Sequence, residues 1–189
     1  MKYSDIYRLY STSQPKDAIH QALREVPVDD SDEQYEDRSP LHLACQYGDT
    51  EGVKILLERD AEPNTKDANG STPIHILGRT SAGCADEDKL KEIAVMLIEQ
   101  GANIPRSAKN TTALIECIRN RHFKMAEAII DSGARVNSTD LNGENVLFGF
   151  CAASGDIRRD IRFAKKELDE SVQYRYPENK IEEIRSRIA

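Results

Sequence analysis

The 189-residue chain contains no tryptophan, and aromatic residues make up only 6% of it. Its four cysteines, Cys45, Cys84, Cys117 and Cys151, stand far apart with no CxxC pair. That pattern excludes the close ligand spacing of a zinc module and offers no disulfide framework. Long apolar runs are also missing. Stretches such as Ile93 to Ile98 are far too short to cross a bilayer. The opening Met1-Lys2-Tyr3-Ser4-Asp5 has no apolar signal core. These two observations predict a soluble, intracellular and cytoplasmic protein, with export as an effector by a Sec-independent route left open. No glycine-rich phosphate loop and no Ser/His/Asp or Cys/His grouping can be found. Positive charge is in deficit, with a formal net charge of -7, and an acidic chain repels phosphate backbones, which argues against general nucleic-acid binding.

What the chain does have is 39% hydrophobic residues, enough for a core, and an internal repeat. Four short stretches share a pattern: Ser39-Pro40-Leu41-His42, Thr72-Pro73-Ile74-His75, Thr112-Ala113-Leu114-Ile115 and Asn145-Val146-Leu147-Phe148. Their second residues are spaced by 33, 40 and 33 positions. A second marker, Asp60-Ala61, Gly101-Ala102 and Gly133-Ala134, keeps the same phase. Ala61 to Ala134 spans 73 positions, as does Pro40 to Ala113. Two independent markers that drift together are not coincidence.

Each unit has the chemistry of a helical hairpin. Ser39 and Thr72 are good N-caps, and Pro40 and Pro73 suit a first helical turn, where the missing N–H costs nothing. Val53, Leu56 and Leu57 keep the spacing of a buried stripe, as do Ala94, Leu97, Ile98 and then Ala126, Ile129, Ile130. Gly101 and Gly133 end helices in the left-handed conformation, and Asp60 occupies the same slot. Asn69-Gly70 and Asn142-Gly143 signal tight turns.

At Ser39 to Gly48 the sequence resembles the Thr-Pro-Leu-His-x-Ala opening of an ankyrin repeat. It continues in that pattern through Val53 to Leu57, Asp60 to Asn64 and Asp67 to Gly70. The resemblance covers roughly residues 39–155, on a period of its own kind. It implies an all-α ankyrin-repeat solenoid of helix-turn-helix repeats with short β-turn fingers, capped at both ends. The expected units are a degenerate N-terminal capping repeat at 1–38, repeat 1 at 39–70, repeat 2 at 71–110, repeat 3 at 111–143, and a degenerate repeat 4 with a helical cap at 144–189. Repeat 2 carries an insertion between its helices near 80–88. Repeat 3 loses the Pro-x-His signature. Repeat 4 keeps only Val146-Leu147 and Cys151-Ala152-Ala153.

Both ends of a stack need covering. Ile6, Leu9 and Tyr10 suit a first capping helix; Pro15 opens a second, with Ala18, Ile19, Ala22 and Leu23 apolar; Asp29 to Asp37 makes an overlong first finger. At the other end Ile157, Ile161, Ala164, Leu168 and Val172 form a stripe, followed after Pro177 by Ile181, Ile184 and Ile188. This tail fits a cap; an amphipathic helix that docks on a partner is the competing reading.

The family resemblance implies binding of a protein through inner helices and fingertips. By phase, the inner-helix positions are Gln46, Tyr47, Arg79, Arg119 and Asn120, and the fingertip positions are Tyr35, Asp67, Asn69, Lys109, Leu141 and Asn142. Tyr and Arg are favoured at interface hot spots, which singles out Tyr35, Tyr47, Arg79 and Arg119. Each taken alone also fits an ordinary solvated residue. The acidic run Asp29 to Asp37 suits the steering of a basic segment, but it lacks the glycine and helix pair of a calcium loop. His42 and His75 recur in phase, which points to structure; His20 and His122 stand in other contexts. Cys45, Cys117 and Cys151 suit packing, and Cys84 in the polar insertion suits exposure. Asn64 and Asn137 match the family position that asparaginyl hydroxylases modify. The chain is thus expected to be a monomeric, non-catalytic module for a protein partner, with no catalytic residue, metal, cofactor, nucleic acid or membrane. Two rivals stay open: a self-assembling structural repeat, and an enzyme with its site in the insertion or the C-terminal region.

Overall fold

In the computed structural model, residues 1–80, 86–103 and 112–134 are described. Within them the chain folds as four helical hairpins: α1 (Tyr3–Ser11) with α2 (Lys16–Glu25), α3 (Pro40–Gln46) with α4 (Thr50–Glu58), α5 (Pro73–Gly78) with α6 (Glu87–Glu99), and α7 (Ala113–Arg119) with α8 (Phe123–Asp131). A single 3-10 turn, Glu33–Tyr35, interrupts the loop after α2. The first helices of each hairpin stack in order, α1 on α3, α3 on α5, α5 on α7. The second helices form the other layer, α2, α4, α6, α8. Lys109, Leu141, Asn142, Asn137, Cys84, Cys151, the degenerate fourth repeat and the C-terminal cap lie outside the described residues.

The sequence determines where each helix begins. Ser39 and Thr72 sit in extended conformation before Pro40 and Pro73. The Ser39 N–H donates to Nδ1 of His42 at 3.1 Å, and the Thr72 N–H to Nδ1 of His75 at 3.3 Å. Repeat 3 has Ile115 in place of the histidine, and there the Thr112 hydroxyl accepts from the Ile115 N–H instead, at 3.3 Å. At the far ends, Asp60 adopts φ 62°, in the slot where Gly101 and Gly133 stand at 85° and 91°. In all three the next N–H closes a bond back five residues, Ala61 to Leu56, Ala102 to Leu97 and Ala134 to Ile129, the Schellman pattern that ends a helix in the left-handed region.

The core runs through the stack between the two layers. Val53, Leu56, Leu90, Ile93, Ala94, Leu97, Met125, Ala126 and Ile129 are all fully buried, and each large apolar side chain so removed from water contributes about 1.5–3 kcal/mol. Ile98 is only half-buried. The N-terminal cap buries Tyr3, Ile6, Tyr10, Ile19, Ala22, Leu23 and Val26. Ala18, expected on the apolar side of α2, is exposed, and Leu9 is half-buried.

Polar groups at the hairpin junctions are met by the neighbouring repeat. Nε2 of His42 donates to the Ser71 carbonyl at 3.0 Å, which ties repeat 1 to the turn that opens repeat 2. The Arg59 guanidinium caps the carbonyls of Leu23 and Val26 at the end of α2. Asn120 Nδ2 donates to the Gly78 carbonyl at 3.0 Å, and Nε2 of His122 lies 2.6 Å from the Thr80 carbonyl. A Cβ on Gly78 would lie 3.1 Å from the Ala113 carbonyl oxygen and 3.2 Å from Cys117 Sγ, so α5 and α7 approach closely there. Between the cap and repeat 1, the buried Asp49 carboxylate accepts from the Tyr10 hydroxyl at 2.8 Å and lies 3.0 Å from Nε2 of His20. Burial, with Asp49 second, pushes the Tyr10 phenol well above its ordinary range.

Two predictions follow from the packing of repeat 1. Burial lowers the His42 pKa from 6.5 to about 4. The unfolded chain therefore takes up a proton first, and the stability from neutral His42, fully present above pH 6.5, is lost as pH falls toward 4, by up to roughly 3 kcal/mol. Urea unfolding at stepped pH is expected to show this loss and to show less of it in His42→Gln; equal slopes would contradict it. Asp60→Gly relieves a left-handed aspartate, and a rise in unfolding free energy of about 1 kcal/mol is expected; a fall would mean that the Asp60 side chain makes a stabilising bond.

Candidate functional site

Of the described positions picked by repeat phase, Gln46, Tyr47, Arg79, Arg119 and Asn120 stand at the ends of α3, α5 and α7, and Tyr35, Asp67 and Asn69 in the loops that precede α3 and α5. Four side chains there interlock around Arg38. Arg38 donates through Nη1 to Gln46 Oε1 at 2.8 Å and through Nη2 to Glu36 Oε2 at 2.5 Å, and its Nε stands 3.6 Å from Asp67 Oδ2. One repeat further on the arrangement is reversed: the arginine, Arg79, is on the helix and a small hydroxyl, Ser71, is on the finger. Arg79 Nη1 donates to Ser71 Oγ at 3.0 Å, and Nε pairs with Glu116 Oε1 of α7 at 3.0 Å. Arg79 Nη2 is buried and has no hydrogen-bond partner. A line of guanidinium groups held by carboxylates and amides thus runs from finger to inner helix across successive repeats.

The structure separates the expected positions into two kinds. Tyr47, at the end of α3, is 36% exposed and stacks on Tyr10 with ring centres 4.8 Å apart at 12°. Arg119 is exposed, Asn69 and Gln46 are half-buried. Asp67 is a different case. Its side chain is buried, and Oδ1 accepts the N–H of Asn69 at 2.9 Å and of Ser71 at 2.8 Å. It shapes the finger turn from inside, as Asp does in turns of this kind, and does not stand at the fingertip surface. Asn120 likewise donates both to the Gly78 and to the Glu116 carbonyl, so its amide is engaged between repeats. Tyr35 packs on Tyr7 at 4.3 Å and Tyr3 at 5.6 Å, as part of the cap.

Several residues met here carried no expectation. Arg38 and Glu116 hold the arginine line together, and Tyr3 and Tyr7 underlie the aromatic cluster. A signal existed for the tyrosines: Tyr3, Tyr7 and Tyr10 stand at i, i+4 and i+7, one face of a helix. Adjacent fingers are also joined, by the Ala68 N–H to the Glu36 carbonyl at 2.8 Å. Asn64 bridges repeats, with Nδ2 donating to the Gly101 carbonyl at 3.0 Å and Oδ1 accepting from the Asn103 N–H at 2.7 Å. The acidic loop is in part structural, since Asp30 accepts the Tyr3 N–H at 2.7 Å and Asp32 the Gln34 N–H at 2.9 Å.

Chemically, such a surface is suited to recognition. Among the described residues, burial pushes the Cys45 and Cys117 thiols far above their ordinary range, which makes them poor nucleophiles. Also among the described residues, no group of His, Cys, Asp and Glu is arranged to hold a metal ion, and no helix is long and apolar enough to cross a membrane.

The family model for ankyrin repeats in many copies matches residues 22–77. The transient receptor potential cation channel subfamily A member 1 homolog of Caenorhabditis elegans is 38% identical over 69 residues, 36% of this chain and 6% of that protein. The neurogenic locus notch homolog protein 1 of Homo sapiens is 30% identical over 133 residues, 70% of this chain and 5% of its own length. The ankyrin repeat protein nuc-2 of Neurospora crassa is 29% identical over 124 residues, 65% of this chain and 10% of its own. The chain therefore spans a tenth or less of each of these relatives. Ankyrin repeats are in general protein-interaction modules rather than catalysts. Stacked helical hairpins, left-handed helix ends in phase and a matching family pattern lead to one conclusion: this is a protein of the ankyrin-repeat family.

Proposed function

We propose that the chain is a monomeric, non-catalytic adaptor or regulator of the cytoplasm, and that it binds a protein partner across the ends of α3, α5 and α7 and the adjoining fingers. The observation that carries this reading is that stacking leaves Tyr47 and Arg119 exposed at the ends of α3 and α7, while the Arg79 guanidinium at the end of α5 is held in place by Glu116 and Ser71. Side chains presented on a braced backbone lose little freedom when a partner arrives. The surface residues Gln46, Tyr47, Asn69 and Arg119 extend the same face, and Lys109, Leu141 and Asn142 continue it by phase. Gln46, Tyr47, Asn69 and Arg119 do not belong to the buried core, so their identity is open to selection for a partner.

The test is affinity capture from the native host's lysate with three baits: wild type, Arg79→Ala/Arg119→Ala on the inner helices, and Lys54→Ala/Glu92→Ala on exposed positions of α4 and α6. All three are first matched for thermal midpoint, because Arg79 also joins two repeats. A protein held by the wild type and the outer variant but lost by the inner variant is the expected result. Loss with the outer variant, or no difference among the three, would overturn this placement.

A further inference from the structure

We propose that the tyrosine shelf at the N-terminal end of the inner surface, Tyr7, Tyr35 and Tyr47, receives an extended basic peptide segment through an arginine side chain, with the acidic loop Asp29 to Asp37 as its counter-charge. The inference rests on the reading of the chain as a protein-binding module and names the class of segment that it takes.

Five of the seven tyrosines in the chain form two ring groups, Tyr3 and Tyr7 with Tyr35 and Tyr10 with Tyr47, and α1 carries Tyr3, Tyr7 and Tyr10 at i, i+4 and i+7, on one face. Tyr3 and Tyr10 are buried and form the base. Tyr35 lies on Tyr7 with ring centres 4.3 Å apart, and Tyr47 lies nearly parallel on Tyr10. The base is rigid, because the Tyr10 hydroxyl is bound to the buried Asp49 carboxylate. Apart from Met1, Tyr47 is the sole exposed large hydrophobic side chain among the described residues.

Charge decides what such a shelf attracts. Residues 29–38 hold six carboxylates, Asp29, Asp30, Asp32, Glu33, Glu36 and Asp37, against a single cation, Arg38. Arg38 is already paired with Glu36 and faces Asp67. Asp29, Glu33 and Glu36 are exposed. The neighbouring cations, Lys2 just before α1 and Arg8 within it, leave the balance negative. At the foot of the shelf Tyr3 is buried beneath Tyr35. Aromatic faces beside carboxylates favour a cation, and arginine above lysine, since its planar guanidinium stacks on a ring while its N–H groups reach carboxylates.

The experiment is fluorescence anisotropy of a labelled Gly-Arg-Gly-Arg-Gly-Arg-Gly peptide titrated with the full chain at low salt. Saturable binding is expected, at least about fivefold weaker with Tyr47→Ala and restored by Tyr47→Phe. It is also expected to weaken in Asp29→Asn/Glu33→Gln, with lysine replacing arginine, and with added salt. No saturable binding, equal binding by Tyr47→Ala, or equal binding of the lysine peptide would overturn the proposal; so would a labelled oligothymidylate that binds instead and depends on Tyr47. If capture responds to Arg79→Ala/Arg119→Ala while the peptide fails to bind, this inference alone falls. If both fail, the module reading falls with it.

Discussion

No helical hairpin in this chain can bury its apolar stripe by itself. Leu56 on α4 or Leu97 on α6 is shielded from water only because the next hairpin lies against it, and that requirement shapes everything else. It demands close contact, and at Gly78 a Cβ would sit 3.1 Å from the Ala113 carbonyl oxygen of α7. It also demands that polar groups trapped at each junction be satisfied across it. His42 reaches Ser71, Asn120 reaches Gly78, and Arg59 reaches the end of α2. In each case the donor belongs to one unit and the acceptor to another, so that order spreads along the stack.

The same requirement releases the inner surface. Once stacking fixes the backbone, residues at the ends of α3, α5 and α7 no longer need to be apolar, and the chain places Gln46, Tyr47, Arg79, Glu116 and Arg119 there. They are not loose. Arg38 and Arg79 are each braced by neighbours from the fingers or the next repeat. A braced polar surface on a rigid scaffold pays its ordering cost during folding, before any partner arrives.

Much of this was legible from the residues alone, and the limits have a physical pattern. Pro40, Pro73, the Asp60 slot and the stripes on α4, α6 and α8 could be read because each depends on the local backbone, which repeat phase determines. The surface was harder. Phase places Asp67 on a finger, but only the turn's own hydrogen bonds show that its carboxylate points inward to Asn69 and Ser71. Phase likewise places Asn120 on an inner helix, while its bond to Gly78 depends on the register of a helix 42 positions away. Tyr35 looked like a fingertip because the tyrosines it packs on, Tyr3 and Tyr7, lie in a cap too degenerate to align with the repeats. Long-range side-chain pairing has no local signature, and that is where the sequence alone gave out.

Amide hydrogen exchange on the full chain, free and with a protein captured in the test proposed above, tests the central claim most directly. Slower exchange on binding is predicted at Gln46 to Gly48, around Ser71, and at Arg79 and Arg119, with α4 and α6 unchanged. Protection confined to α4 and α6, with the inner-helix ends unaffected, would contradict the account.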